Sequence, residues 1–396
     1  MKRLQVFLSA TLPLITVLFS LSIGGCANIK HASKSSTSLS NFLGFSELPD
    51  WYIRSKYSFP DSKWIKNDFD TMIHYRDIGE GPVVVLVHGE MESMHVWNEW
   101  IDTLSQNFRV IALDLPGSGL TSAPHCISDP EETCPENLSS NYLSHTLDYF
   151  IEDLNIPKFT LVGSSYSGYL AAQYAAHQHP EKLNKLILMT PMGFQQDVPW
   201  ILNYVTVPGM DIFNHYVQPS TVATSILDHF YGQPDKITAS NRQRFMHLTQ
   251  SDGAHHSNVI QLKMVRTLME QGMLLDLEDI TIPTLVMWGE SDTWGDFSHA
   301  ERWQKELGNA TLVTYPLYGH ILMEEGAEIT ATDVIAFIND EPIPTLDSLG
   351  SASFSIEDAA NEFDKESLFG APSSTENSDI LESTDSIEET ELLDAD

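Results

Sequence analysis

The stretch Thr160–Leu170, TLVGSSYSGYL, decides how the rest of the chain is interpreted. The run KFTLVGS predicts a buried strand, and SGYLAAQYAAHQ predicts a helix directly after it. Ser165 lies at the tip between them, flanked by Gly163 and by Ser167, which stands where glycine is usual. This spacing is typical of a tight turn carrying a nucleophilic serine, because small neighbours let strand and helix approach closely. It also fits a serine that caps a helix, so Ser165 needs chemical partners before it can be given a role.

Apolar runs alternate with helical patterns along most of the chain. PVVVLVHG, FRVIALDLPG, NKLILMTP and PTLVMWGE are continuous aliphatic runs, typical of strands buried on both faces, and ATLVTYP is a weaker one. KWIKNDF and TMIHYRDIG look like a pair of strands. The alternation predicts an α/β protein with a mostly parallel, doubly wound sheet and right-handed crossovers, over residues 51–193 and 280–340.

Residues 194–279 break this alternation. They contain no convincing buried strand, and helical or mixed patterns dominate. We interpret the segment as an inserted helical cap over the C-terminal edge of the sheet, and a run of ordinary crossover helices is the alternative.

A serine hydroxyl is a weak nucleophile, so it needs a base and a carboxylate that orients the base. Asp292 follows the strand in TLVMWGESD, and His320 follows the next strand in TLVTYPLYGH. The order Ser165, Asp292, His320 is the order of a hydrolase triad, and each residue follows the C-terminal end of a strand, where parallel sheets form their sites. Asp296 is the alternative acid.

These segments resemble the α/β-hydrolase superfamily from about residue 64 to 339. HGEMESMHVW matches H-G-x-x-x-S-x-x-x-W, and DLPGSGLTS matches D-x-x-G-x-G-x-S with Thr121 in the serine position. WGESD and YGHILMEE match the acid and base segments. The chain looks most like bacterial lipoprotein lipases and esterases and like meta-cleavage-product hydrolases, so we expect the α/β-hydrolase fold.

The resemblance implies a catalytic triad of Ser165, Asp292 and His320 and an oxyanion hole formed by the backbone N–H groups of Glu90 and Tyr166. His88 and Gly89 belong to the supporting strand exit, and His88 is interpreted as shaping the loop rather than as a base. Glu90 departs from the hydrophobic or small residue that is common there. Its N–H serves the hole only if its carboxylate turns away from the developing negative charge.

The implied activity is hydrolysis of a small-molecule or lipid carboxylic ester through an acyl-enzyme, with no metal and no organic cofactor. A serine nucleophile argues against the dehalogenase and epoxide-hydrolase chemistries of the same fold. Two alternatives stay open: hydrolysis of a C–C bond with a similar triad, and a non-catalytic hydrolase-like binding module.

The N-terminus, MKRLQVFLSATLPLITVLFSLSIGGC, resembles a bacterial lipoprotein signal. Lys2 and Arg3 precede an apolar run, and Ile-Gly-Gly leads to Cys26. We predict a signal peptide over 1–25, lipid attachment at Cys26 and a flexible tether over 26–50, so that the protein is exported and anchored to a membrane. The cell envelope is the expected location, with the outer membrane or periplasm favoured. An ordinary signal peptide or membrane anchor is the alternative.

Two cysteines, Cys126 and Cys134, lie in the polar stretch SAPHCISDPEETCPENLS. An oxidising compartment would permit a disulfide between them, and two free thiols are the alternative.

The chain is strongly acidic, with 55 Asp and Glu against 21 Lys and Arg in 396 residues. Such a surface repels phosphate backbones and argues against nucleic-acid binding. Residues 341–396 are rich in Ser, Asp and Glu and are predicted to be an acidic disordered tail whose partner, if it has one, the sequence does not identify.

Overall fold

The computed structural model describes residues 48–122, 139–206, 220–251 and 254–346. Cys26, the pair Cys126 and Cys134, most of the predicted tether and most of the acidic tail lie outside these residues. The assignments made for them therefore stay predictions.

An eight-stranded sheet forms the centre of the described structure. Its order is β1-β2-β4-β3-β5-β6-β7-β8, where only the pairs β1–β2 and β2–β4 are antiparallel. The predicted α/β class and mostly parallel sheet are thus confirmed. The strands are β1 (Lys63–Lys66), β2 (Met72–Ile78), β3 (Val83–Val87), β4 (Arg109–Leu113), β5 (Phe159–Ser164), β6 (Leu183–Met189), β7 (Thr284–Gly289) and β8 (Ala310–Tyr315).

The central strands owe their position to their aliphatic sequences. Every residue of β5 and β7 is buried, as are most residues of β3 and β6. A parallel strand covered by helices on both faces gains from apolar side chains on both sides. These strands therefore occupy the middle of the sheet, and the short, exposed β1 lies at one edge.

Helices cover the sheet and extend beyond its C-terminal edge. They are α1 (Asp50–Tyr57), α2 (Asn98–Leu104), α3 (Ser140–Asp153), α4 (Tyr166–His177), α5 (Trp200–Thr206), α6 (Ser220–Phe230), α7 (Ala239–Thr249), α8 (Ala254–Gln271), α9 (His299–Leu307), α10 (Leu322–Glu325) and α11 (Ala327–Ile338). Within the described ranges, no helix combines the length and the apolar character needed to cross a membrane.

The helices α5 to α8 lie between β6 and β7, inside the segment interpreted as a cap. They reach the loops that follow the strands: the Gln261 side chain accepts a hydrogen bond from the backbone N–H of Met91, at 2.9 Å. The backbone carbonyl of Phe230, the last residue of α6, accepts from the N–H of His320, at 2.7 Å. These helices therefore form part of the wall around the C-terminal edge of the sheet.

Candidate active site

The turn between β5 and α4 holds Ser165 in a strained conformation. Ser165 has φ 55° and ψ −122°, a region that L-residues rarely occupy. Gly163 must be small, because a Cβ there would lie 2.2 Å from the carbonyl oxygen of Ser167. The Ser165 side chain makes no capping hydrogen bond to α4, although it stands at the N-cap position. The turn thus directs the hydroxyl away from the helix, and the helix-cap interpretation does not describe it.

The three side chains proposed as a triad are brought together at the C-terminal edge of the sheet. Ser165 Oγ lies 2.6 Å from Nε2 of His320, and His320 Nδ1 lies 2.7 Å from Oδ2 of Asp292. The other oxygen of Asp292 accepts hydrogen bonds from the N–H groups of Trp294 and Gly295. The side chains of Asp292 and His320 are fully buried, so the carboxylate is held in one orientation toward the imidazole.

Asp296, the alternative acid, is not part of this arrangement. Its carboxylate accepts from the N–H of Ser298 at 2.9 Å, in an exposed loop. The hydrogen bonds of Ser298 lower the pKa of the Asp296 carboxyl. Asp296 therefore stabilises the start of α9, and His320 has Asp292 as its carboxylate partner.

Several acidic groups surround the His320 imidazole. Burial disfavours its charged form, but Asp292, through its charge and its hydrogen bond, outweighs this, with further contributions from Glu90 and Glu92. The pKa of His320 is consequently raised above its ordinary value. The imidazolium that forms when a base takes the proton of a serine is therefore well stabilised at this position.

The position of the Glu90 side chain differs from the one that the oxyanion hole requires. Its carboxylate turns into the site: Oε2 accepts from Ser165 Oγ at 2.9 Å and, at 3.4 Å, from the backbone N–H of Tyr166. The other oxygen, Oε1, accepts from Trp294 Nε1 at 2.7 Å. Because three donors converge on one small volume, and Glu90 is only 5% exposed, a carboxylate is a better match for that volume than an apolar side chain.

His88 and Ser167 shape the neighbouring strand exit. His88 Nε2 accepts from the N–H of Leu115 at 3.0 Å, and Nδ1 donates to the carbonyl of Gly89 at 2.7 Å. Burial lowers the pKa of His88, which favours this neutral form. The Ser167 hydroxyl donates to the carbonyl of His88 at 2.5 Å, so the hydroxyl in place of the usual glycine fastens this strand exit to the nucleophile turn.

Glu92 and Gln261 have site contacts that no sequence motif indicated. Oε2 of Glu92 accepts from the N–H of Gly89 at 2.9 Å. Burial raises the pKa of Glu92 to about 8, so its carboxyl is largely neutral near pH 7. Gln261 reaches in from α8 to the backbone of Met91 and to the Ser118 hydroxyl. Gln261 was missed because it contacts segments that are distant in the chain. Glu92 was missed although its contact is local, because a motif gives the spacing of loop residues and not the direction of their side chains.

Two cavities adjoin the site. The first is lined by the nucleophile turn, by Glu90 and by the mainly apolar residues Leu115, Pro116, Leu143 and Met264, with Gln261 and Ser118. The second lies beyond Glu92 and contains Arg244, whose guanidinium pairs with the buried carboxylate of Glu324. Both cavities thus combine apolar residues with polar ones, among them Glu90 and Gln261 in the first and Arg244 and Glu324 in the second.

One group in the described residues has metal-ligand atoms close together. Ligand atoms of Asp148, Glu152 and His179 lie within 4.8 Å of one another. They lie near the opposite end of α4 from Ser165, and Lys182 already pairs with Glu152 at 3.4 Å. Exposed acidic groups of this kind are common without a metal, and this group has no part in the site.

Comparison with known proteins agrees with the geometry. The family model described as alpha/beta hydrolase fold matches residues 82–327. A 2-hydroxy-6-oxo-6-phenylhexa-2,4-dienoate hydrolase of Comamonas testosteroni is 26% identical over 267 residues, which cover 65% of this chain and 88% of that protein. An abhydrolase domain-containing protein of Caenorhabditis elegans is 35% identical over 130 residues, but the match spans only 33% of this chain and 28% of that protein.

A similar fold is found among solved structures. A meta-cleavage product hydrolase from Pseudomonas fluorescens aligns with a TM-score of 0.60 at 24% identity, covering 70% of this chain and 97% of that one. The chain therefore belongs to the α/β-hydrolase fold family and is a hydrolase.

Proposed function

We propose that this protein is a serine hydrolase that cleaves carboxylic esters of the esterase or lipase type. The observation that carries the proposal is the continuous hydrogen-bonded chain from Ser165 through His320 to Asp292, with the hydroxyl held on a strained turn at a helix N-terminus. A base within hydrogen-bonding reach of the hydroxyl, itself oriented by a carboxylate, is the arrangement that activates serine.

The reaction would proceed in two steps. His320 takes the proton of Ser165 as its Oγ attacks the ester carbonyl, and Asp292 stabilises the resulting imidazolium. The tetrahedral oxyanion is bound by the backbone N–H groups of Tyr166 and Glu90, and His320 then protonates the departing alcohol. In the second step His320 deprotonates a water molecule, which attacks the acyl-enzyme and releases the acid and the free serine. Each oxyanion donor contributes about 3 kcal/mol to such reactions.

The charge of the first cavity favours an uncharged acyl group. Among its described lining residues none is Lys or Arg, and the charged side chain is Glu90. In the second cavity the guanidinium of Arg244 is already paired with Glu324. An anionic substrate would approach a carboxylate without gaining a free cation, and like charges at close range cost free energy. Neutral esters avoid this cost.

A panel of p-nitrophenyl esters of increasing chain length, assayed with the wild type and the Ser165→Ala variant, tests the proposal. We expect the wild type to hydrolyse neutral esters and the variant to be inactive. A fluorophosphonate should label Ser165 in the wild type only. Equal rates for the two proteins, or an unlabelled wild type, would refute the proposal and would favour a non-catalytic binding module.

C–C bond hydrolysis is the second candidate, favoured by the similarity to the Comamonas testosteroni dienoate hydrolase. A dienoate is an anion, so this candidate predicts that the wild type prefers the dienoate to neutral esters. Measuring kcat/KM for both substrates in one preparation decides between the two candidates.

We also propose that the enzyme is exported and anchored to a membrane of the cell envelope through Cys26. The sequence of the first 26 residues is what supports this. Palmitate labelling followed by membrane fractionation should place the wild type in membranes and leave a Cys26→Ser variant unlabelled. Equal labelling of the two proteins would contradict the anchor.

A further inference from the structure

One donor of the proposed oxyanion hole, the Tyr166 N–H, already contacts a carboxylate of the protein itself. Glu90 Oε2 is the acceptor for Ser165 Oγ and for the Tyr166 N–H, the same N–H that would bind a substrate oxyanion. The indole N–H of Trp294, which is almost completely buried, holds the second oxygen at 2.7 Å. A carboxylate oxygen at this place imitates the negative oxygen of a tetrahedral intermediate.

This contact gives the proton of Ser165 a second acceptor beside His320. The hydroxyl carries a single proton, and both Glu90 Oε2 and His320 Nε2 are within hydrogen-bonding distance. If the hydroxyl donates to Glu90, then the contact with His320 requires a proton on Nε2, while Nδ1 donates to Asp292. The imidazole is then doubly protonated and has no lone pair free to act as a base. This arrangement is stable electrostatically but unproductive for acylation.

We propose that Glu90 is a specificity-determining residue of the ester hydrolysis: its carboxylate occupies the oxyanion hole of the resting enzyme, and a substrate reacts only by displacing it. This inference rests on the proposed function. Displacement has two consequences. Every substrate must take over the Tyr166 N–H with its own carbonyl oxygen and release the Ser165 hydroxyl to attack the carbonyl carbon. The displaced carboxylate remains in the wall of the first cavity, where it disfavours anionic groups.

Trp294 provides an independent way to weaken the contact. Its ring packs against Phe230, with ring centroids 5.1 Å apart, and its N–H is the one fixed donor to Glu90 Oε1 in the described structure. Trp294→Phe removes the donor but keeps an aromatic ring for packing. This variant should therefore loosen the carboxylate without changing its charge.

The test compares two esters of similar size, neutral p-nitrophenyl valerate and anionic mono-p-nitrophenyl glutarate. The proteins are the wild type, Glu90→Ala, Glu90→Gln, Trp294→Phe and the control Glu290→Gln. Glu290 lies at the same sheet edge but is exposed and bonds only Thr314 among its described side-chain partners. We expect Glu90→Ala to raise kcat/KM for the neutral ester at least about tenfold, since hydrogen bonds to charged groups are the strong ones.

The anionic ester separates the effect of the negative charge of Glu90 from the effect of its side chain occupying the oxyanion hole. Glu90→Gln keeps the shape of the side chain and removes its charge, so it should raise the ratio of anionic to neutral kcat/KM at least about fivefold. Trp294→Phe should raise kcat/KM for the neutral ester and leave that ratio unchanged. Glu290→Gln should match the wild type in both.

The outcomes separate this inference from the proposed function. If the wild type hydrolyses the neutral ester but the Glu90 variants match or fall below it, the inference is overturned while the function stands. If the wild type neither hydrolyses an ester nor reacts with a fluorophosphonate, the proposed function itself fails, whatever the Glu90 variants do. Should Glu90→Ala fold poorly, Glu90→Gln and Trp294→Phe decide the question.

Discussion

The part of the protein that the structure describes contains two hydrogen-bonded Ser–His–Asp networks with nearly the same dimensions. In one, Ser165 Oγ lies 2.6 Å from His320, whose Nδ1 lies 2.7 Å from Asp292. In the other, the Ser62 hydroxyl lies 2.7 Å from Nε2 of His74, whose Nδ1 lies 2.7 Å from Asp114. Judged by these distances alone, both are triads.

The surroundings of the two networks differ. Ser62 lies in a turn before β1, and its hydroxyl accepts a hydrogen bond from the N–H of Phe59 at 2.8 Å. Asp114 is fully buried and also accepts from the N–H groups of Met94 and Leu120, at 2.7 and 2.9 Å. The Ser62–His74–Asp114 network thus joins three loops of the core. Its side chains hold backbone groups in place through hydrogen bonds.

In the Ser62–His74–Asp114 network, the electrostatics of the Asp114 carboxyl fit a structural role. Burial alone would raise the pKa of the Asp114 carboxyl, but the hydrogen bond and charge of His74 lower it to about 2. A serine–histidine–carboxylate network therefore does not define a catalytic site. Ser165 differs from Ser62 because it lies on a strained turn. It also stands at the N-terminus of α4, beside backbone N–H donors.

Replacing Ser165 or Ser62 by alanine should give the largest contrast in kcat. Ser165→Ala should lower kcat for a neutral ester by about 10⁶-fold, because the nucleophile is lost. Ser62→Ala should change it by less than about twofold, as expected for a residue outside the site. Steady-state kinetics on both variants measures this, and a large loss in Ser62→Ala would break the comparison.

Replacing Asp292 or Asp114 by asparagine should separate an effect on kcat from an effect on the free energy of unfolding. Asp292→Asn should lower kcat by about 10⁴-fold, because the imidazole loses its orienting partner, while the fold is kept. Asp114→Asn should instead lower the free energy of unfolding by about 3 kcal/mol, since it leaves half of a buried pair unmatched. Urea denaturation and ester kinetics on both variants test this. Loss of kcat in folded Asp114→Asn, with unchanged stability, would count against it.

His320 should determine the acidic limb of the pH dependence of activity. Despite its burial, the pKa of His320 is raised by the charge and hydrogen bond of Asp292 and by the charge of Glu90, so the base form should be lost at a higher pH than for an ordinary imidazole. Below that pKa, kcat/KM should fall about tenfold per pH unit. A pH profile from 5 to 9 should show this acidic limb, and Glu90→Gln should move it to lower pH. An unmoved limb would mean that Glu90 has little effect on His320.

Ser167→Gly, which restores the usual small residue, should have the smallest effect. Loss of the hydrogen bond to the His88 carbonyl should lower the free energy of unfolding by about 1 kcal/mol. The kcat value should change less than about twofold, because Ser167 touches no reacting group. A hundredfold fall in kcat would instead show that this hydroxyl positions Ser165.

Much of the sheet could be predicted because buried parallel strands have a distinctive composition. Runs such as Val83–Val87 and Thr284–Gly289 have few alternatives, since exposed aliphatic strands would be costly. The helix α1 was not predicted. It is held by contacts with remote segments: Ile53 packs with Leu120 and Leu248, and the Leu48 N–H donates to the carbonyl of Gln250. Contacts of this kind leave no local pattern.

The sequence by itself determined the class of fold and the order in which Ser165, Asp292 and His320 follow their strands, because hydrophobic periodicity and tight-turn chemistry are local properties. Only the tertiary structure decided that Asp292 rather than Asp296 meets the imidazole, that Ser62, His74 and Asp114 form a second network, and that Glu90 turns into the site. The physical reason is that a side chain's direction depends on donors supplied by other segments. For Glu90 those donors come from residues 165, 166 and 294, which folding alone brings together.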